Sequence, residues 1–118
     1  MWKVYAYTGC DTCRKALRFL TERGISHTVV PIREQPPTLP ELRRMLKLGG
    51  GEIRRLFNTS GQDYRALGLG KQLPTLTEAA ALELLAGNGN LVKRPFVLTP
   101  SGGTVGFSPE VWAKLAAV

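Results

Sequence analysis

The spacing of apolar residues changes character several times along the chain. Residues 2–7 (WKVYAY) are rich in aromatic and β-branched types and stop at Thr8-Gly9, which predicts a short strand. Across 14–23, Ala16, Leu17, Phe19 and Leu20 recur at helical spacing among basic residues, and Gly24 supplies a stop. Residues 27–32 (HTVVPI) predict a second strand, with Pro31 marking an edge strand or a strand end. After the Pro36-Pro37 break, Leu42, Met45 and Leu46 restore helical spacing over 39–48, closed by Gly49-Gly50-Gly51. A short helix is expected over 52–57, then a polar turn at 58–61 and one helical turn at 63–67. Thr75 and Glu78 have capping-box spacing before the Ala/Leu-rich run 79–86, which ends at the Gly/Asn stretch 87–90. Residues 96–99 and 104–107 flank Pro100-Ser101-Gly102-Gly103 and predict a β-hairpin. Ser108 caps a last helix, with Pro109 in its first turn. The order β-α-β, helices, β-β-α predicts an α/β fold with a mixed sheet, since only the last strand pair is joined tightly enough to be antiparallel.

Composition narrows this picture. At 118 residues the chain suits one domain, with no internal repeat or linker. No apolar run approaches the roughly 20 residues that span a bilayer, and the N-terminus lacks the pattern of a secretory signal. A cytoplasmic protein with no membrane partner is therefore expected. The net charge is +7, and the N-terminal half carries most of it: residues 1–59 hold 11 basic and 5 acidic residues, against 5 and 4 in 60–118. No aromatic-interleaved basic stripe accompanies this charge, so no direct nucleic-acid binding is expected. Arg43-Arg44 and Arg54-Arg55 read as solvated helix faces.

Candidate chemistry is concentrated in few residues. Cys10, Cys13 and His27 are the only Cys and His residues, one fewer than a tetrahedral structural zinc site needs, so no metal is expected. Cys10-Asp11-Thr12-Cys13 lies where the first strand hands over to the first helix. A thiol there meets unpaired backbone N–H groups and the positive end of the helix dipole, which favour thiolate, and Arg14, Lys15 and Arg18 add positive charge nearby. The pair reads either as a nucleophile (Cys10) with a resolving thiol (Cys13), or as two inert buried cysteines. Arg94, in Lys93-Arg94-Pro95, reads either as a fork for an oxyanion or carboxylate, or as an exposed cation before a strand. The turn Phe57-Asn58-Thr59-Ser60-Gly61 offers ligand donors or serves as a helix stop.

Taken in order, Tyr7 to Lys15 (YTGCDTCRK), FNTSG at 57–61 with Tyr64-Arg65, LPTLT at 73–77, NLVKRPF at 90–96 and Gly106-Phe107 resemble the ArsC/Spx family. The match covers nearly the whole chain. The resemblance implies a thioredoxin-like mixed β-sheet with an all-helical insertion over approximately 37–90. It implies that Pro95 follows a cis bond and faces the cysteine loop, and that Arg94 approaches Cys10 to stabilise a thiolate or a bound oxyanion. Family arsenate reductases surround the oxyanion with three arginines. Arg94 has a counterpart among them, whereas the other two positions fall on Asn58 and Phe107, and the loss of two cationic donors argues against genuine arsenate reduction.

The expectation is a thiol-disulfide oxidoreductase of the ArsC group. Cys10, Cys13 and Arg94 are its catalytic candidates, and Thr12, Asn58 and Pro95 its substrate-binding ones. No cofactor is expected to be bound. Glutathione is the expected co-substrate, with thioredoxin or glutaredoxin as protein partners. The alternative is an Spx-type redox-sensing regulator that binds the α subunit of RNA polymerase, in the manner of the Spx/MgsR branch.

Overall fold

A computed structural model describes residues 1–117. Strand β1 (Trp2–Ala6) leads into helix α1 (Asp11–Glu22) and then strand β2 (His27–Pro31). Helices α2 (Leu39–Leu48), α3 (Gln62–Ala66), α4 (Leu69–Gln72) and α5 (Glu78–Gly87) follow, with 3-10 turns at Ile53–Leu56, Leu73–Thr75 and Gly89–Leu91. Strands β3 (Phe96–Thr99) and β4 (Gly102–Val105) form a hairpin, and helix α6 (Pro109–Ala116) closes the described chain. The sheet order is β2-β1-β3-β4, with β1 parallel to β2 and the other two pairings antiparallel. This is the mixed, thioredoxin-like sheet expected, and β2, which ends in Pro31, is an edge strand.

The period-2 alternation of β1 divides the core into two layers. Trp2, Val4 and Ala6 face α1 and α6, where they bury Cys13, Ala16, Leu20, Val97 and Trp112. Tyr5 points to the other side with Ile32, Phe96 and Leu98, and the helices between β2 and β3 cover that side through Leu42, Met45, Tyr64, Leu82 and Leu85. Polar ties fix this cover. Glu41 of α2 accepts from Tyr5 Oη at 2.6 Å and from Lys3 Nζ at 2.9 Å, while completing a capping box with Thr38. Arg44, read from the sequence as a solvated cation, donates to the carbonyls of Thr99 and Gly102 and so pins α2 to the hairpin.

Several boundaries differ from those expected: the helix expected over 52–57 is a 3-10 turn over Ile53–Leu56, and the last strand is Gly102–Val105 rather than 104–107. The hairpin turn is Pro100-Ser101 alone, and Gly102-Gly103 belong to β4. A side chain at 103 would lie 2.6 Å from the Val97 carbonyl and 3.2 Å from Met45, so glycine is there for close packing rather than for the turn. The N-cap of α5 is Thr77, whose hydroxyl accepts from the amide of Ala80 at 3.1 Å. Thr75 sits in a 3-10 turn and donates to the Gln72 carbonyl. Helix α1 starts at Asp11, one polar turn before the apolar stripe that signals it.

Candidate thiol site at the start of the first helix

Cys10 is the N-cap of α1, in extended conformation, and its amide donates to the carbonyl of Tyr7 at 3.0 Å. Its thiol is half-buried, and burial alone would raise its pKa. The backbone N–H and thiol of Cys13, the backbone N–H of Thr12 and the charge of Arg94 outweigh that, and the net direction is down. Cys13 is fully buried, and desolvation is the main reason that its thiol is pushed up to about 11, with the like charge of Cys10 adding to it. The two sulfurs therefore divide into a thiolate-prone outer one and a protonated inner one.

The neighbouring cations act elsewhere than the sequence implied. Arg14 donates to the Thr8 carbonyl and to Asp11, both at 2.9 Å, and Lys15 lies 3.8 Å from Asp11. They hold the Asp11 carboxyl below the usual range, Arg14 first, and brace the cysteine loop. It is Arg94, 84 positions downstream of Cys10, whose charge reaches both sulfurs. The Arg94–Pro95 bond is cis, Pro95 is buried, and its carbonyl accepts from the amide of Gly106 at 2.8 Å. Nη1 of Arg94 is buried with no hydrogen-bond partner among the described residues.

Beside Arg94 lies a pocket of about 410 Å³, bounded by Tyr7, Arg33, Asn58, Asp63, Asn90 and Arg94. The guanidinium groups of Arg33 and Arg94 both lie over the Tyr7 ring, at 4.7 and 5.3 Å from its centroid. Gly9 makes room for that ring, since a side chain there would come within 2.5 Å of it. Asn58 is held by its amide to the Leu91 carbonyl at 2.7 Å, so the turn at 58–61 is both a chain stop and a pocket wall. Phe107, at the other position where an arginine would be looked for, packs edge-to-face against Phe19 and Trp112 at 5.6 and 5.0 Å. Arg33 was not singled out by its sequence context. The usable signal was position: β1 and β2 are parallel, with Ala6 opposite Pro31, so Tyr7 and Arg33 both lie just beyond the carboxyl ends of neighbouring strands, where α/β sheets bind ligands. Thr12 enters through its backbone N–H; its side chain is exposed. Among the described residues no group of three or more Cys, His, Asp or Glu could hold a metal.

The profile of the ArsC family matches residues 5–115. A solved ArsC family related protein of Bacteroides fragilis is 44% identical, with a TM-score of 0.91 over 97% of this chain and 96% of that one. An arsenate reductase of Neisseria meningitidis is 35% identical over 88% of each chain. The regulatory protein MgsR of Bacillus subtilis is 29% identical over 95% of this chain and 87% of its own. With the family profile spanning nearly the whole chain and relatives of 35% and 44% identity matching it over most of their own length, the chain belongs to the ArsC family.

Proposed function

We propose that this protein is a thiol-disulfide oxidoreductase in which Cys10 is the nucleophile, Cys13 the resolving thiol and Arg94 the charge that steadies them. The observation that carries the reading is the split between the sulfurs: one at a helix start under two backbone amides and a guanidinium, the other buried as a thiol beside it. In the first step the Cys10 thiolate attacks one sulfur of a disulfide. A Cys10–substrate bond forms, the substrate S–S bond breaks, and the other half leaves as a thiolate. Burial keeps Cys13 protonated before this step, and the Cys10 charge contributes to the same effect. Once Cys10 is neutral in the mixed disulfide, that contribution disappears and Cys13 ionises more readily. Cys13 then gives its proton to the departing thiolate or to water and attacks Cys10 Sγ; the Cys10–substrate bond breaks, and the second half leaves as a thiolate that takes a proton from water. The products are a Cys10–Cys13 disulfide and two substrate thiols, a two-electron reduction of the substrate. Glutathione, or a thioredoxin or glutaredoxin, restores the dithiol by the same exchange. A working dithiol of this kind suits a reducing compartment such as the cytoplasm.

Asn58 in the pocket wall and the half-buried Phe107 stand where two arginines would be looked for and supply no cation, so Arg94 has only Arg33 beside it in the pocket, which supports disulfides rather than arsenate as substrates. In the test, purified protein reduces a small disulfide with glutathione or thioredoxin as donor, and Cys10→Ser lowers the rate at least a thousandfold. Unchanged turnover in that variant removes the mechanism. The likeness to MgsR favours a second reading, a redox-sensing regulator. Redox-dependent retention of the RNA polymerase α subunit by the protein, without disulfide turnover, would select it.

A further inference from the structure

The pocket beside Arg94 has a charge arrangement that the exchange chemistry does not need. Its sheet side carries two cations: Arg33, just past β2, and Arg94, just before β3, both stacked on Tyr7. The helical side carries one carboxylate, Asp63 in the first turn of α3, together with the amides of Asn58 and Asn90. Asp63 accepts from Asn88 Nδ2 at 3.0 Å and from Asn90 Nδ2 at 3.4 Å, both on Oδ2, and forms no ion pair among the described residues. These bonds orient the side chain through Oδ2, and Oδ1 takes part in neither. On the other side, Arg94 is half-buried and Arg33 is exposed, and both line the pocket. At about 410 Å³ the space lies within the usual range for small-molecule sites, roughly 300–1,000 Å³.

Two guanidinium groups and one carboxylate lining the same pocket fit a zwitterion. We propose that this pocket is a recognition subsite for an α-amino-carboxylate group, with the carboxylate on Arg33 and Arg94 and the ammonium on Asp63. Because the charge of Arg94 also reaches Cys10, a disulfide held in this subsite would share a cation with the nucleophile. The inference rests on the thiol-exchange reading and names its substrate class: low-molecular-weight disulfides with an amino-acid end, of which glutathione disulfide and cystine are examples. Neutral disulfides would react without this anchoring.

Binding and turnover test the two readings separately. S-methylglutathione has the amino-acid end but no thiol to exchange, and is titrated into Cys10→Ser protein by calorimetry and by NMR. It is expected to bind, with an affinity at least tenfold weaker for its N-acetyl derivative and at least tenfold weaker in an added Arg33→Ala change. Asp63→Asn is expected to abolish the preference for the free amine. No binding, or binding that is the same within twofold for both compounds and in Arg33→Ala, overturns the subsite. In parallel, the native dithiol, recycled by thioredoxin as the reductant, is assayed with glutathione disulfide and with 2-hydroxyethyl disulfide. Turnover without S-methylglutathione binding removes the subsite and keeps the exchange chemistry; binding without turnover of either disulfide keeps the subsite and removes the exchange reading.

Discussion

Cys10 and Cys13 are the same residue type three positions apart, and burial separates their behaviour. Because the amides of Cys13 and Thr12 and the Arg94 charge pull Cys10 down while desolvation lifts Cys13 to about 11, alkylation should discriminate between them. Iodoacetamide reacts with thiolate, so modification of Cys10 should show a midpoint below the ordinary cysteine value of about 8.5. Arg94→Ala should move that midpoint up, and Cys13 should remain largely unmodified at neutral pH. Mass spectrometry of the labelled protein across a pH series checks this, and a Cys10 midpoint at or above the ordinary value counts against it. At this scale the sequence was a good guide wherever a residue's role depends on its neighbours along the chain. The strand–CxxC–helix context carried the cysteines. Arg94 needed the family resemblance as well, and Arg33 was legible only through its position just past the second strand, because its place in the pocket comes from β2 pairing with β1.

Among the elements, α2 shows how a polar residue can organise an apolar interface. Glu41 closes the capping box of its own helix and accepts from Tyr5 and Lys3 of β1. Burial opposes its ionisation, but bonds from Tyr5, Lys3 and the Thr38 amide outweigh that and lower its pKa. Its contribution to stability is therefore complete above the unfolded-state value, about 4.3, and is lost as the pH falls through the lower folded-state value. Glu41→Ala should cost about 2 kcal/mol at pH 7, from the cap and two partly buried bonds, and the difference from native should shrink in acid; urea unfolding at several pH values measures it. Gly89 makes the opposite point, about space. A Cβ there would lie 1.8 Å from the Ile32 carbonyl, where the 3-10 turn crosses the end of β2. Gly89→Ala should therefore cost at least about 3 kcal/mol, the upper range of overpacking, read as a fall in thermal midpoint. Sequence pattern located every strand and the longer helices, since burial on one side imposes a period. It misplaced the hairpin turn and the α5 cap, since Gly102-Gly103 and Thr75 offer the same local chemistry as the residues that took those roles.

For the whole molecule, the sheet order places the open ends of β1 and β2 side by side and folds the return from the helices back through Arg94, so three distant chain segments meet at one edge. The net charge of +7 is concentrated in residues 1–59, the half that supplies α1 and Arg33. An anionic disulfide should accordingly meet the site more often than a neutral one, and kcat/KM for glutathione disulfide should fall between about 0.02 M and about 0.5 M salt as screening shortens the field's reach. The value for 2-hydroxyethyl disulfide should stay flat over the same range, and parallel declines would discount the steering.

The ring of Phe107 is wedged between Phe19 and Trp112. An engineer hoping to graft arsenate chemistry onto this scaffold would begin by installing guanidinium groups at 58 and 107. At 58 the graft has an open wall to occupy. At 107 it would displace a half-buried ring from the seam that joins the first and last helices, so the graft means repacking that seam as well as equipping a site.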